Sequence, residues 1–450
     1  MRLRTLLVSL CVYAVTAVPV EQTAEARFAK TNVLNTLLQS LPSRSRMILE
    51  ARLQNASPAL KSKLGLSDLN KRQSDPVTVA LLGSLLNEVQ LWNTPRPTSP
   101  VPEVQTSKSP LLNGATRHKI RYGPYRIPPT SEKNLESQLT HTSGLTDTIK
   151  VNAKKPCTGD CILLRLGASL EYADGTVAKQ ANGAWLHHAV VLNFGFQVRD
   201  AVCPDGLQGY MEHLFETGNE RTDIDFTLQN SSIKSGYHLR AGDTFLINTE
   251  LMNMEDKEKW TWLTLTYDVI DGFPAEYKEG KVVWTSIGPP RCSGVPDVNP
   301  FGQTNLTKSQ QPVRTVFTEY SIPWVSRKNG WIMGSNGHMH DGGTSTEVFK
   351  NDQRICISYP HYSMGGHGMG GMGHDKRQLR AGNHTNTDIE HIDVQEGCFY
   401  TDPVPIKKGD SLYIRANYDF TAHAGMKNKK GELDEVMGIV GSLIAFDYPY

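Results

Sequence analysis

Two pairs of histidines have the spacing of metal ligands. His338 and His340 are separated by one residue, and residues two apart in a strand share a face, so both imidazoles can reach a single ion. His187 and His188 are consecutive, so they can meet one ion only where the strand bulges or ends. Imidazole is a ligand of several transition metals, so the pairs predict metal binding. The alternative is that both pairs are ordinary strand histidines, because short motifs recur by chance.

A glycine-rich stretch in the second half also contains metal-ligand side chains. Residues 359–374 alternate glycines with His361, Met364, His367, Met369, Met372 and His374. Thioether and imidazole are the ligands that Cu(I) prefers. The stretch therefore predicts a loop that captures copper, with a flexible glycine loop as the alternative.

The elements that must position these residues are expected to be strands. After Cys157, short apolar and β-branched runs alternate with glycine, asparagine and proline, and a Pro- and Gly-rich break follows Gly288. Regularly spaced short strands with turn signals predict an all-β fold. We expect two consecutive antiparallel, jelly-roll-like β-sandwich domains, over residues 155–290 and 303–450.

Composition limits the class of protein. The 450 residues are 38% hydrophobic, which is sufficient for two domains with cores, and the formal net charge is +1. A neutral chain has no electrostatic footprint for nucleic acid or for an anionic membrane. No segment after the N-terminus is long and apolar enough to predict a membrane span.

The N-terminal region is predicted to direct and extend the β domains. A charged start, a short apolar run and small residues up to Ala17 predict a signal peptide over residues 1–17, and therefore a secreted, extracellular protein. Residues 18–72 end in a dibasic pair and are either a removable prosegment or a polar helical arm. Residues 73–154 predict an amphipathic helix followed by a Pro-rich linker.

Cysteine usage agrees with an oxidising compartment. Cleavage of the signal peptide leaves an even number of cysteines, which predicts up to three disulfides with unspecified pairing. These cysteines are Cys157, Cys161, Cys203, Cys292, Cys356 and Cys398. Asn-x-Ser/Thr sequences also predict a glycoprotein. They begin at Asn55, Asn230, Asn305 and Asn383.

The order of the motifs carries a family resemblance. A His-His pair in the first half and His-x-His in the second are followed by Met437 in the sequence Asp434-Glu435-Val436-Met437. Over about residues 155–450, this order resembles the copper type II, ascorbate-dependent monooxygenases, which include the peptidylglycine α-hydroxylating and dopamine β-monooxygenases. The surroundings of both histidine pairs look closest to the stress-upregulated nodulin proteins of plants and fungi.

The resemblance implies ligands and an activity. His338, His340 and Met437 would bind the copper that meets dioxygen, while His187 and His188 would bind an electron-supplying copper. The implied cofactor is one or two copper ions, with ascorbate as reductant. The implied reaction is hydroxylation of a C–H bond in a small-molecule or peptide substrate.

Two departures from the family pattern are visible. Glu250 occupies the place of a third histidine at the electron-supplying copper, where it would be a harder ligand, and Met252, His213 or His238 could substitute for it. Asn336 stands where the peptide-amidating enzyme has a substrate-binding arginine, so we do not expect amidation.

Two hypotheses of function follow. The first is a secreted copper-dependent monooxygenase that uses ascorbate and dioxygen, and the retention of His338, His340 and Met437 favours it. The alternative is a non-catalytic secreted protein that binds or captures copper, which the Glu250 departure favours. A purely structural extracellular β protein would leave these ligands unexplained.

Overall fold

The computed structural model describes most of the chain beyond the N-terminal region. The described residues are 94–134, 137, 142–204, 210–288, 315–364, 390–426, 433 and 436–450. The predicted signal peptide, prosegment and amphipathic helix lie outside the described residues, as do residues 365–374 of the glycine-rich stretch.

Strands make up almost all of the regular structure of the described chain, which also has one short 3₁₀ turn at Gln180–Asn182 and a helical residue, Ser137. The first eleven are β1 (Val104–Lys108), β2 (Thr116–Ile127), β3 (Leu145–Ala153), β4 (Cys161–Glu171), β5 (Ala184–Phe194), β6 (Met211–Thr217), β7 (Ile224–Asp225), β8 (Ser235–Leu239), β9 (Thr244–Asn253), β10 (Lys259–Asp271) and β11 (Lys278–Ser286). The others are β12 (Val316–Tyr320), β13 (Trp324–Val325), β14 (Gly330–Met339), β15 (Gly343–Lys350), β16 (Gln353–Ser358), β17 (Pro360–Met364), β18 (Glu390–Gln395), β19 (Gly397–Ile406), β20 (Ser411–Asp419) and β21 (Gly438–Phe446). The predicted all-β fold is confirmed.

The strands form one large sheet that runs through both halves of the chain and smaller sheets beside it. The large sheet has the order β1-β2-β10-β4-β8-β11-β21-β14-β19, with β7 paired to β4. A four-stranded sheet has the order β3-β9-β5-β6, and a five-stranded sheet has the order β12-β20-β15-β16 with β13 at β20. Strands β17 and β18 form a hairpin. Pairing of β11 with β21 joins the first half to the last strand.

Each smaller sheet packs on one part of the large sheet. The first core contains Leu163 and Leu265 of the large sheet with Val191 and Ile247 of the four-stranded sheet, all fully buried. In the five-stranded sheet, β20 alternates buried and partly exposed residues, as expected for a strand with one face in a core. Strand β21 is buried at every residue because it is central in the large sheet.

The segment predicted as a Pro-rich linker contains strands β1, β2 and β3. Strand β2 pairs with both β1 and β10, and its Tyr122, Tyr125 and Ile127 are buried. Its one proline, Pro124, lies opposite a register shift between Thr261 and Leu263, which is where a strand tolerates the loss of an N–H donor. Proline content therefore concealed a strand that has apolar residues to bury.

A buried ion cluster lies where the two halves join. The Lys281 ammonium is 2.7 Å from a Glu212 oxygen and 3.0 Å from a Glu279 oxygen, and the three side chains are at most 2% exposed. Lys281 and Glu279 lie on β11, and Glu212 lies on β6. Because each charge has a partner, the cluster is tolerated in the core, and removal of one member would leave the others uncompensated.

The prediction of disulfides is confirmed. Cys157 bonds to Cys161, and Cys356 bonds to Cys398. Cys203 is disulfide-bonded as well. Within the described residues, no helix has the length and apolar character that a membrane crossing requires.

Candidate metal centre

His187 and His188 lie at a bulge in β5. The pairing of β5 with β9 changes register between Leu186 and His188, so the usual alternation of faces is interrupted there. As a result both rings meet the same carboxylate oxygen, Oε2 of Glu250, at 2.7 Å for His187 Nδ1 and 2.6 Å for His188 Nδ1. His187 and His188 are expected to meet one ion only where their strand bulges or ends, and the strand bulges there.

His338 and His340 lie at the end of β14, on the face opposite to Met339. Met339 packs into an apolar cluster with Ala416 and Tyr418, whereas the two imidazoles project the other way, with their ring centroids 5.8 Å apart. The His340 backbone N–H donates to the carbonyl oxygen of Met437 at 3.3 Å, which fixes the chain where β14 ends. The predicted common face of the pair is therefore confirmed.

The two pairs converge on one place. Ligand nitrogens of His187, His188 and His340 all lie within 4.8 Å of one another. The ring of His188 is 4.1 Å from that of His187, 5.7 Å from that of His340 and 5.5 Å from that of His338. Metal–imidazole bonds of about 2.0 Å place ligand nitrogens roughly 3 to 4 Å apart. Small ring movements would bring these imidazoles to that spacing, so the donor set fits one transition-metal ion.

Glu250 orients the first pair of rings. Burial alone would raise the pKa of Glu250, but the adjacent His187 and His188 outweigh it and hold the pKa well below its usual value. The carboxylate is thus an ionised acceptor, and each Nδ1–H donates to it. In a neutral imidazole that donates through Nδ1, the lone pair is on Nε2. Nε2 is therefore the atom that would bind a metal, as in a carboxylate–histidine–metal arrangement.

Glu220 plays the same part for His338. One Glu220 oxygen lies 3.1 Å from His338 Nδ1, and the other anchor of that oxygen is the backbone N–H of Gly218 at 2.8 Å. Burial opposes ionisation, but these two partners outweigh it and lower the pKa of Glu220 to about 2. Glu220 comes from the connection after β6, so each histidine pair has its own buried carboxylate.

The protonation state of the site suits metal binding. Burial, with the neighbouring His187 second, lowers the pKa of His188 to about 4. His188 is therefore neutral near pH 7, which is the form that ligates a metal. Its side chain is 4% exposed, while those of His187 and His338 are 15% and 12% exposed, so the centre is buried but reached from the surface.

The other predicted ligands lie outside this group of histidines. Met437 packs in an apolar cluster with Val190, Leu192, Met211 and Ile439, and its carbonyl oxygen meets the His340 backbone. A thioether bond from Met437 and direct ligation by Glu250 both stay predictions.

The three substitute ligands also have other surroundings. Met252 packs with Leu145 and Trp185, His213 lies 3.2 Å from Asp200, and the His238 ring stacks with Tyr448 at 4.4 Å. Neither His213 nor His238 belongs to the group formed by His187, His188 and His340.

Several residues beside the centre carry no sequence signal that would find them. Glu220 follows no motif, and His391 lies on β18, about fifty positions from the nearest ligand pair. The His391 Nδ1 is 2.6 Å from the Asp341 carboxylate, next to His340. Trp185 has a weak signal, because it stands two residues before His187 on a strand and so shares its general direction.

A small cavity adjoins His338. It has a volume of about 30 Å³ and is lined by Glu216, Thr217, Glu220, Trp284 and Asn336, among others. A cavity of this size is large enough for a water molecule, since one water needs about 10 to 15 Å³ by this measure. Asn336 therefore faces the surroundings of the metal centre.

Comparisons with known proteins give relatives among curated sequences. No protein-family model matches the chain. "Probable copper-dependent oxygenase M1" of Phoma sp. is 30% identical over 321 residues, which is 71% of this chain and 70% of that protein. "Probable copper-dependent oxygenase clz3" of Cochliobolus lunatus is 30% identical over 274 residues, 61% of this chain and 76% of that protein.

The chain therefore belongs to the family of these fungal proteins, the copper-dependent oxygenases. Among solved structures, PNGase F, a glycosylasparaginase from Flavobacterium meningosepticum, aligns over 74% of this chain and 96% of its own, with 11% identity and a TM-score of 0.32. Similarity at that level supports no argument about this protein.

Proposed function

We propose that the protein is a secreted copper-dependent monooxygenase that hydroxylates a C–H bond of a small molecule or peptide, with dioxygen as oxidant and ascorbate as reductant. The observation that carries the proposal is the group formed by His187, His188 and His340, with the His338 ring 5.5 Å from that of His188, in a chain that belongs to the copper-dependent oxygenases. The type II monooxygenase resemblance supports the ascorbate and the C–H hydroxylation.

We propose one copper ion, in contrast to the two separate coppers that the resemblance implies. His187, His188 and His340 would hold the ion through Nε2, and His338 is near enough to join them. A bound copper would supply the redox chemistry, in which one oxygen atom enters the C–H bond and the other leaves as water with two electrons and two protons from ascorbate. In this arrangement Glu250 does not replace a third histidine as a metal ligand. Its carboxylate orients the rings of His187 and His188 instead.

The chain's own residues supply position and access. Glu250 and Glu220 fix the imidazoles with their Nδ1–H bonds, so little reorganisation is needed when the metal binds. The cavity beside His338 leaves room for water, and the partial exposure of His187 opens the other side. Burial of the remaining ring surface keeps bulk water from the reacting atoms.

Copper stoichiometry followed by oxygen uptake tests the proposal. We expect one copper per purified, secreted chain, its loss in a His340→Ala variant, and ascorbate-dependent oxygen uptake that substrate stimulates. His118→Ala is the matched control, because His118 lies on β2 and bonds to Thr106 at 3.3 Å, away from the centre. Copper without uptake across candidate substrates would leave the non-catalytic copper-binding protein as the answer, and absence of copper would exclude both functions.

A further inference from the structure

Trp185 connects the metal centre to a second histidine. Its ring centroid is 5.4 Å from that of His187, in an edge-on arrangement, and 5.2 Å from that of His391. The indole therefore lies between His187 of the metal centre and His391, whose surroundings differ from those of the metal-centre histidines. Its apolar neighbours are Leu145, Met252 and Met426.

The carboxylate of Asp341, the residue after His340, holds the ring of His391 in place. Oδ2 of Asp341 is 2.6 Å from His391 Nδ1, and Oδ1 of Asp341 accepts the backbone N–H of Ile392 at 3.0 Å. Asp341 directly follows His340 and is 6% exposed. A carboxylate at Nδ1 fixes the ring orientation and directs Nε2 away from the carboxylate. The position of His391 is thereby tied to that of a metal-centre histidine.

The indole N–H of Trp185 is a buried donor for which no described residue is an acceptor. Trp185 is 6% exposed, and a buried donor without an acceptor is destabilising. The side chains on either side of it reach the surface, at 15% exposure for His187 and 14% for His391. The structure thus combines an apolar wall with a donor that a bound molecule could satisfy.

We propose that Trp185 and His391 form a substrate subsite beside the metal centre, which binds an apolar molecule against the indole and imidazole rings and donates the indole N–H to a carbonyl or carboxylate oxygen of that molecule. The inference rests on the proposed function, since the subsite would present a C–H bond of the bound molecule toward His187 and the metal. It names the substrate class as an apolar compound with an acceptor oxygen, and His391 as a binding residue.

Ligand binding to defined probes tests the subsite. The probes are hydrocinnamate and benzylacetone, which combine a phenyl group with an acceptor oxygen, and phenylpropylamine, which has the same apolar part but a cationic donor. Dissociation constants are measured by tryptophan fluorescence and calorimetry on the full chain, both copper-loaded and metal-free. We expect an oxygen-bearing probe to bind and the amine not to bind.

Two conservative variants separate binding from folding. Trp185→Phe keeps an aromatic wall and removes the N–H, and His391→Asn keeps a donor for Asp341 and removes Nε2. Loss of the indole hydrogen bond in Trp185→Phe should weaken the oxygen-bearing probe about fivefold to tenfold. Loss of the imidazole ring that packs beside Trp185 should weaken the same probe in His391→Asn. His361→Asn is the matched control, because His361 lies on the same hairpin and bonds to Glu396 at 2.6 Å, but its side chain is 55% exposed. The affinity of His361→Asn for the probes should equal that of the parent protein.

The outcomes are distinct from those of the proposed function. Failure of both oxygen-bearing probes to bind, equal binding of the amine, or unchanged affinity in Trp185→Phe and His391→Asn would overturn the subsite. If copper and oxygen uptake are present but the variants bind normally, the subsite alone fails. If copper is absent but probe binding still depends on both residues, the proposed function fails and the ligand subsite stands.

Discussion

Replacement of Glu250 by glutamine removes the charge that two metal-centre rings share. Its Oε2 accepts from His187 at 2.7 Å and from His188 at 2.6 Å, and both are charge-assisted bonds. Glutamine can place its carbonyl oxygen where Oε2 lies, but that oxygen is uncharged, so both bonds would lose their charge assistance. Loss of such an orienting partner lowers metal affinity about 10- to 100-fold, or roughly 1.4 to 2.7 kcal/mol.

Competition with a Cu(I) chelator measures this effect directly. We expect the copper dissociation constant of Glu250→Gln to rise within that range, with the free energy of unfolding of the metal-free protein compared by denaturant titration. Glu220→Gln removes one bond to one ring and should have the smaller effect. Glu103→Gln, which affects only an exposed ion pair with Lys154, is the matched control. Unchanged copper affinity in Glu250→Gln would refute the orienting role.

Three other perturbations follow from the packing and the charges. A Cβ at Gly218 would lie 2.9 Å from His338 Cε1, so Gly218→Ala should displace that ring and weaken copper binding. The same chelator competition would detect the weaker binding. An unchanged copper affinity would show that the ring can move without cost. Lys281→Met leaves two buried carboxylates without their cation and should lower the free energy of unfolding by about 3 to 5 kcal/mol. Copper stoichiometry should stay unchanged. A loss below about 1 kcal/mol in denaturant titration would contradict this expectation. The Arg354 and Arg415 guanidiniums outweigh burial and lower the pKa of Glu347 below its usual 4.5, so its stabilisation is present above pH 4.5 and is lost as the pH falls. Glu347→Gln should therefore flatten the acid side of the stability profile, and an unchanged profile would refute the assignment.

The strand residues and local spacings were accessible from sequence because they depend on near neighbours. Alternation in a strand predicts that His338 and His340 share a face, and the structure confirms it. The same rule predicts that His187 and His188 need a bulge to act together, and the register shift beside Leu186 provides it. The all-β class follows from short apolar runs and turn residues in the same way.

Proline composition misled the prediction for β2. The segment around it is rich in proline, yet Thr116–Ile127 has a single proline at an irregularity of its partner strand, and its tyrosines are buried. The pairing of β2 with β10 joins residues that are more than a hundred positions apart, and composition within one segment does not contain that information.

The sequence by itself determined the metal-ligand types, the face that each pair occupies and the β class, because these follow from side-chain chemistry and the strand repeat. Tertiary structure alone decided that the two pairs meet, since the pairing of β11 with β21 sets the position of β14 relative to β5. It also decided that Glu250 lies at two Nδ1 atoms, that Glu220 supports His338, and that Trp185 and His391 lie beside the centre. Contacts of this kind join distant parts of the chain, so local pattern cannot specify them.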